Sequence, residues 1–164
     1  MNKTLPILEV TPSRYRDFSC GYAQLDEYLK RFAKTNHKKN IGKTFVLIFD
    51  DVVAGYYTVS MGEIEFSALS DELSASLPKY PIPVARIGRL AVHSAFQGKG
   101  FGKYLLVDAL IRIVEASQTV AAFAVVVDAK DNKSKAFYTN FGFIAYKDEP
   151  LSLFLPLATF KTEF

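Results

Sequence analysis

The chain has 164 residues, 49% of them hydrophobic and 14% aromatic, enough to build a sizeable core and too apolar for a disordered protein. Cys20 is its single cysteine, which excludes an intrachain disulfide, and no His/Cys cluster has metal-ligand spacing. The formal net charge of +3 is modest but unevenly placed, and the totals fit one cytoplasmic domain spanning 1–164.

In chain order, residues 5–10 (LPILEV) read as a first strand. Pro6 and Glu9 break the apolar run, which suits neither a signal peptide nor a membrane span. From Ser19 the pattern turns helical: Leu25, Leu29 and Phe32 stand at offsets of four and three and share a face. Between Tyr28 and Phe49 lie six basic residues, Lys30, Arg31, Lys34, Lys38, Lys39 and Lys43, with His37 and no acid. Such a run is a solvated helix face or a surface for a polyanion. Residues 44–49 and 52–66 read as two antiparallel strands joined at Asp50-Asp51, with Tyr56, Thr58 and Ser60 alternating with Tyr57, Val59 and Met61 in the second. Residues 67–83 form a Ser/Pro-bearing insertion with one short helix at 71–77. A strand run follows at 87–92, then a glycine-rich stretch and a helix to 116. Residues 121–127 are continuously apolar, as expected of a strand covered on both faces. A helix at 130–140 and closing strands at 141–146 and 152–157 complete the chain, with no internal repeat or interdomain linker.

The strand at 87–92 mixes parities: Ile87 is odd, Leu90 and Val92 are even, and Gly88 lies between. Either a bulge near Gly88–Arg89 switches the face, or the strand is central and twisted.

That strand runs through Gln97-Gly98-Lys99-Gly100-Phe101-Gly102 into a helix starting near Lys103. Closely spaced glycines between strand and helix start make a nest of backbone N–H groups that binds phosphate oxygens. A dinucleotide fingerprint would need glycine where Lys103 stands, and a Walker loop would need Ser or Thr after its Gly-Lys. The segment closely resembles the acyl-CoA pyrophosphate loop of the Gcn5-related N-acetyltransferases (GNAT family). The resemblance spans nearly the whole chain. It implies an α/β (α+β) GNAT fold: a central, mostly antiparallel, splayed mixed sheet flanked by helices. It implies acetyl-CoA as cosubstrate and no metal.

In that family a helix carries a Tyr followed a few residues later by Gly-Phe, the spacing of Tyr138 and Gly142-Phe143 here. The resemblance assigns Tyr138 as general acid for the leaving CoA thiolate; read from its neighbours alone, Tyr138 is a core aromatic with Phe137, Phe141 and Phe143. Backbone groups of Leu90, Ala91 and Val92 are implied to pair with pantetheine as an added strand, and a strand N–H to polarise the acetyl carbonyl. Gln97, Gly98, Lys99, Gly100, Phe101, Gly102 and Lys103 would hold the pyrophosphate, with the helix start supporting its charge. Lys103 or Lys135 could reach the 3′-phosphate, and Asn132, Ser134 and Phe137 would border the cofactor. Asp131 stands where the family often has Asn.

Three segments narrow the resemblance: Phe18-Ser19-Cys20-Gly21 with Leu25 and Leu29, 87–92 (IGRLAV), and Lys135-Ala136-Phe137-Tyr138. They look like the acetyltransferase toxins of bacterial toxin–antitoxin modules, with His93 where Asp is common. That likeness implies acetylation of the α-amine of aminoacyl-tRNA, a block of translation, and inhibition by a small DNA-binding antitoxin of ribbon–helix–helix type. An α-amine titrates near ~7.7–8.0 and needs little help from a base, unlike a lysine near ~10.4. Lys30, Lys34 and Lys38, with Arg89 beside the acetyl site, are the candidate acceptor-binding residues; for Arg89 a structural ion pair is the alternative. Acetylation of a small amine or protein N-terminus, with Glu63 or Glu65 as base, is the competing enzyme reading. A non-catalytic CoA-binding regulator is the competing class. Cys20 is not expected to act as nucleophile, no membrane association is expected, and homodimerisation stays open.

Overall fold

The computed structural model describes residues 3–161; residues 1, 2 and 162–164, which the single-domain expectation also spans, lie outside the described residues. In chain order the elements are β1 (Thr4–Pro6), α1 (Ala23–Glu27), α2 (Ala33–Lys38), β2 (Lys43–Phe49), β3 (Val52–Ile64), α3 (Asp71–Ser74), β4 (Ile82–Val92), α4 (Phe101–Ala116), β5 (Ala124–Asp128), α5 (Asn132–Phe141), β6 (Ile144–Ala145), β7 (Ser152–Pro156) and α6 (Leu157–Lys161). The strands follow the order β1-β2-β3-β4-β5-β7-β6. Pairs β1–β2, β2–β3, β5–β7 and β6–β7 are antiparallel and β4–β5 is parallel. This is the mostly antiparallel mixed sheet with helices that the family resemblance implies. The chain clusters into two units, Met1–Ser60 with Ile87–Ile111, and Met61–Arg86 with Arg112–Phe164.

In the first unit, the strand expected at 5–10 stops at Pro6 and a 3₁₀ turn, Ile7–Glu9, replaces its second half. Proline has no N–H to extend a ladder, and the turn drives Ile7 and Val10 into the core. The helical region is real but differently faced. Leu25, Leu29, Ala33 and His37 point inward, while Phe32 is 47% exposed. A π-helical turn at Tyr28–Phe32 lies between α1 and α2. Its wider winding absorbs the drift of a spacing of four, so the inward stripe continues through Ala33 and bypasses Phe32.

The β2–β3 hairpin turns at Asp50 and Asp51, both at positive φ (54° and 63°), the conformation two-residue hairpin loops require. The register between these strands shifts where Leu47 faces Gly55 and Ile48 faces Val53, so Ala54 is the extra residue of a bulge. Across from it, β4 runs from Ile82 to Val92, with Ile82, Val84, Ala85, Ile87 and Ala91 buried and Leu90 and Val92 half-buried. A Cβ on Gly55 would lie 2.8 Å from the Ala91 carbonyl and 2.7 Å from Leu105, so glycine is what lets these backbones and α4 approach. Asp108 fastens α4 to the strands, accepting from Thr4 Oγ1 at 2.7 Å and Tyr57 Oη at 2.6 Å.

In the second unit β5 is fully covered at Ala124–Val127, but the strand expected over 121–127 starts only at Ala124, with Ala121 exposed and Ala122 and Phe123 half-buried before it. It pairs with β4 over Val84–Arg86 and with β7 along its length. Ile64, Leu69, Ile82, Val84, Val126 and Phe154 form the core there. The short helix of the insertion is confined to Asp71–Ser74, capped by the Ser70 side chain. Leu157, expected to close the last strand, instead opens α6.

Candidate active site

The glycine-rich stretch leaves β4 through a closely held turn in the first unit. His93 donates its N–H to the Ala54 carbonyl at 2.7 Å, and its Nδ1 accepts from Ala95 N–H at 3.1 Å, starting the 3₁₀ turn Ser94–Phe96. Gly98 and Gly100 follow at φ 80° and 84°, with nothing within 4 Å of where a Cβ would stand. The first bond of α4 runs from Tyr104 N–H to the Gly100 carbonyl, 3.1 Å, so the N–H groups of Phe101, Gly102 and Lys103 open the helix without an intrahelical acceptor. Left-handed glycines facing open space, leading into a 16-residue helix, fit an anion with several oxygens, such as a diphosphate. Phe101 is buried, its ring 5.1 Å from Phe49 and 6.1 Å from Phe96, so its side chain anchors the loop. Lys99 and Lys103 are exposed.

Upstream on β4, Arg89 is half-buried and its guanidinium lies 3.5 Å from the centroid of the Tyr28 ring. It forms no ion pair among the described residues, so cation–π stacking takes the place of the expected alternative. Tyr28 is itself buried, and its hydroxyl accepts from Asn36 Nδ2 at 3.3 Å. Neighbouring Tyr56 donates to the Leu25 carbonyl at 2.7 Å; burial raises its pKa, opposed by the Arg89 charge. The platform under Arg89 is thus built from the π turn, which the sequence shows only as a polar aromatic on an apolar stripe.

The basic run is less uniform than its letters. Lys30 and Lys38 are exposed, and Lys34 is half-buried with Nζ 5.7 Å from the Tyr15 ring. Arg31 pairs with Glu27 at 2.9 Å, and Lys43 donates to the His37 carbonyl at 3.3 Å. His37 does not belong to a charged surface: it is buried, and its Nδ1 accepts from Thr44 N–H at 2.9 Å. Burial first, then the Lys43 charge, lowers its pKa. Cys20 is buried, with its N–H donated to Asp26 Oδ1 at 2.9 Å.

In the second unit Tyr138 is buried on α5, its ring edge-on to Phe137 at 5.1 Å and Phe143 at 5.5 Å. Phe143 N–H donates to the Tyr138 carbonyl at 3.1 Å, and Gly142, at φ 112°, donates to Thr139 at 3.0 Å. This is a Schellman closure, whose hallmark is an apolar contact between the residue after the glycine and the one five earlier. The Tyr…Gly-Phe spacing therefore has a structural cause. The Tyr138 hydroxyl has no hydrogen-bond partner among the described residues, and burial pushes its pKa up to about 12. Asp131, at the position where the family often has Asn, caps α5 by accepting from Ser134 N–H at 2.8 Å; a helix-start aspartate is a readable signal. Asn132 is exposed, Ser134, Lys135 and Phe137 are half-buried, and Glu63 and Glu65 are exposed. No group of three or more His, Cys, Asp or Glu able to hold a metal ion occurs among the described residues.

A family model described as acetyltransferase (GNAT) matches residues 7–143. The chain is 35% identical over 138 residues to the tRNA-acetylating toxin of Mycobacterium tuberculosis, covering 84% of this chain and 82% of that one. It also superposes on AtaT complexed with acetyl-methionyl-tRNAfMet, with TM-score 0.91, 26% identity and coverage of 100% and 99% of the two chains. A tyrosine-to-phenylalanine mutant of AtaT, bound to the C-terminus of the antitoxin AtaR and acetyl-CoA, matches with TM-score 0.80 and 25% identity over 100% and 98% of the chains.

Proposed function

The chain belongs to the acetyltransferase (GNAT) family, and on that premise we propose that it acetylates the α-amine of aminoacyl-tRNA, as a toxin that blocks translation. The observation that carries the acceptor is the 35% identity to a tRNA-acetylating toxin over most of both chains. The whole chain would act as one cytoplasmic acetyltransferase domain; no helix among the described residues is long and apolar enough to cross a membrane. A small antitoxin is the expected inhibitory partner, on the precedent of AtaT with the C-terminus of AtaR.

In this reading the N–H groups of 98–103 take the diphosphate of acetyl-CoA, with Gln97 and Lys99 at the loop's rim. Backbone groups of Leu90, Ala91 and Val92 take the pantetheine. Asn132, Ser134 and Phe137 border it. The neutral α-amine attacks the thioester carbonyl carbon, the C–N bond forms, the C–S bond breaks, and the amine's surplus proton balances the thiol that leaves. Tyr138 serves the sulfur. A phenol pushed up to about 12 is a weaker acid than a thiol near ~8.5, so outright proton transfer is uphill. Its contribution as general acid is a hydrogen bond that strengthens as negative charge develops on sulfur, with the proton made good from the amine. The orphaned hydroxyl is available for that role because nothing in the protein uses it.

On the acceptor side, Arg89 on its Tyr28 platform would hold a phosphate near the terminal nucleotide, and Lys30, Lys34 and Lys38 would contact the tRNA backbone. Labelled acetyl-CoA offered with charged tRNA, deacylated tRNA, free amino acids and a polyamine tests the proposal. Label confined to charged tRNA is expected. Label on the polyamine or free amines, with charged tRNA untouched, would leave a metabolic acetyltransferase instead.

A further inference from the structure

We infer that Gln97 is a positioning residue that ties the diphosphate loop to the chain segment entering α1, and that its side chain is not a ligand of the diphosphate. The inference rests on the reading of 98–103 as the acetyl-CoA loop. A glutamine amide has two N–H donors, and both are engaged within the protein: Gln97 Nε2 donates to the Val92 carbonyl at 2.9 Å and to the Cys20 carbonyl at 3.1 Å. Neither is left for a phosphate oxygen.

The two acceptors mark what is being joined. Val92 is the last residue of β4, next to the backbone proposed to hold the acetyl group. Cys20 precedes Gly21, at φ 95°, and its own N–H is held by Asp26 on α1 at 2.9 Å. Ser94 N–H reinforces the junction by donating to the Ser19 carbonyl at 2.8 Å. The continuous path is loop, Gln97, Cys20, Asp26 and α1, and α1 leads directly into the π turn that supports Arg89 through Tyr28. A loop fixed by a ligand is thereby fixed against the segment that sets the acceptor-side helices. Of the two hydrogen bonds to this segment, the Ser94–Ser19 bond starts from the turn before the loop, and the Gln97 amide is the one that starts from the loop itself.

Amide hydrogen exchange of the protein, Gln97→Met and Gln97→Arg, each with and without CoA, tests this. In the free protein, Gln97→Met should speed exchange across 19–22 about tenfold, in keeping with two lost hydrogen bonds, and Gln97→Arg, which restores donors, should reverse much of it. CoA should slow exchange at both 97–103 and 19–22 in the wild type, but only at 97–103 in Gln97→Met. Unchanged exchange at 19–22 in free Gln97→Met, or CoA protection of 19–22 that survives the substitution, overturns the inference. CoA that slows exchange nowhere in the wild type contradicts the donor-site reading, while the free-protein comparison still judges the tie. Kinetics supply the second readout. With acetyl-pantetheine, which lacks the diphosphate, Gln97→Met should lose about the same factor in kcat/KM as with acetyl-CoA. A loss seen with acetyl-CoA alone would make the amide a phosphate ligand and overturn the inference.

Discussion

The role proposed for Tyr138 separates what a residue does for the fold from what it does for the chemistry. The Tyr138 hydroxyl makes no hydrogen bond among the described residues and is not a buried unsatisfied group, so Tyr138→Phe should leave the melting temperature essentially unchanged. The same variant should bind acetyl-CoA normally and lose about 10²-fold or more in kcat; calorimetry and single-turnover rates check the two halves. With the phenol near 12, the rate should rise with pH as the acceptor amine loses its proton, plateau, and not fall again until strongly alkaline pH. His37 makes the opposite kind of prediction. Its folded pKa is lowered, so the unfolded chain binds the proton first, near ~6.5. Its contribution to stability is complete above that pH and is lost as pH falls below it toward the folded value. Wild-type melting should therefore drop more steeply between pH 7 and pH 5 than that of His37→Gln, whose amide oxygen can still accept from Thr44 N–H.

At the scale of elements, the glycines divide by cause. Gly142→Ala should cost about 1 kcal/mol from its left-handed backbone, because its Cβ would meet only Leu155 at an ordinary 3.7 Å. Gly55→Ala should cost about 1–3 kcal/mol from overpacking, because its Cβ would strike the Ala91 carbonyl and Leu105. Gly98→Ala and Gly100→Ala, at φ 80° and 84° with open space around them, carry the same left-handed backbone cost as Gly142→Ala and should in addition weaken acetyl-CoA binding; chemical denaturation reads the first effect and calorimetry with acetyl-CoA the second. These elements also mark what the sequence could reveal. The Gly-x-Gly-x-Gly loop, the Asp-Asp hairpin and the apolar run of β5 were legible because each depends on local backbone demands or a covered strand. The exposure of Phe32 was not, because nothing in the letters announces a π turn. Nor was the burial of His37 within a basic run or the bulge at Ala54, each decided by partners elsewhere in the chain; the halt of β1 at Pro6 had a local cause in the letters, a residue without an N–H. Gln97 was legible as part of a motif; which atoms its amide touches was not.

For the whole molecule, charge placement matters more than the net +3. If Lys30, Lys34 and Lys38 meet phosphates, replacing any one by Ala should reduce the steepness of the salt dependence of tRNA binding by roughly 0.7–0.9 per lost contact, with fold stability unaffected. Filter binding from low to high salt measures it. An unchanged slope would return those side chains to solvent. The family and its donor chemistry were readable from two short motifs because backbone geometry constrains both of them tightly. The acceptor was only narrowed, because its proposed recognition rests on surface charge and on Arg89, whose stacking on Tyr28 the letters do not show.

The most direct measurement identifies the acetylated atom. Charged tRNA is incubated with labelled acetyl-CoA and the protein, its ester is hydrolysed with mild base, and the released products are resolved by mass, with Tyr138→Phe run alongside. Labelled N-acetyl amino acid, strongly reduced in the variant, is the predicted result. Label retained on the nucleic acid after hydrolysis, or found only on added free amines, would contradict the proposal that the α-amine of aminoacyl-tRNA is the substrate.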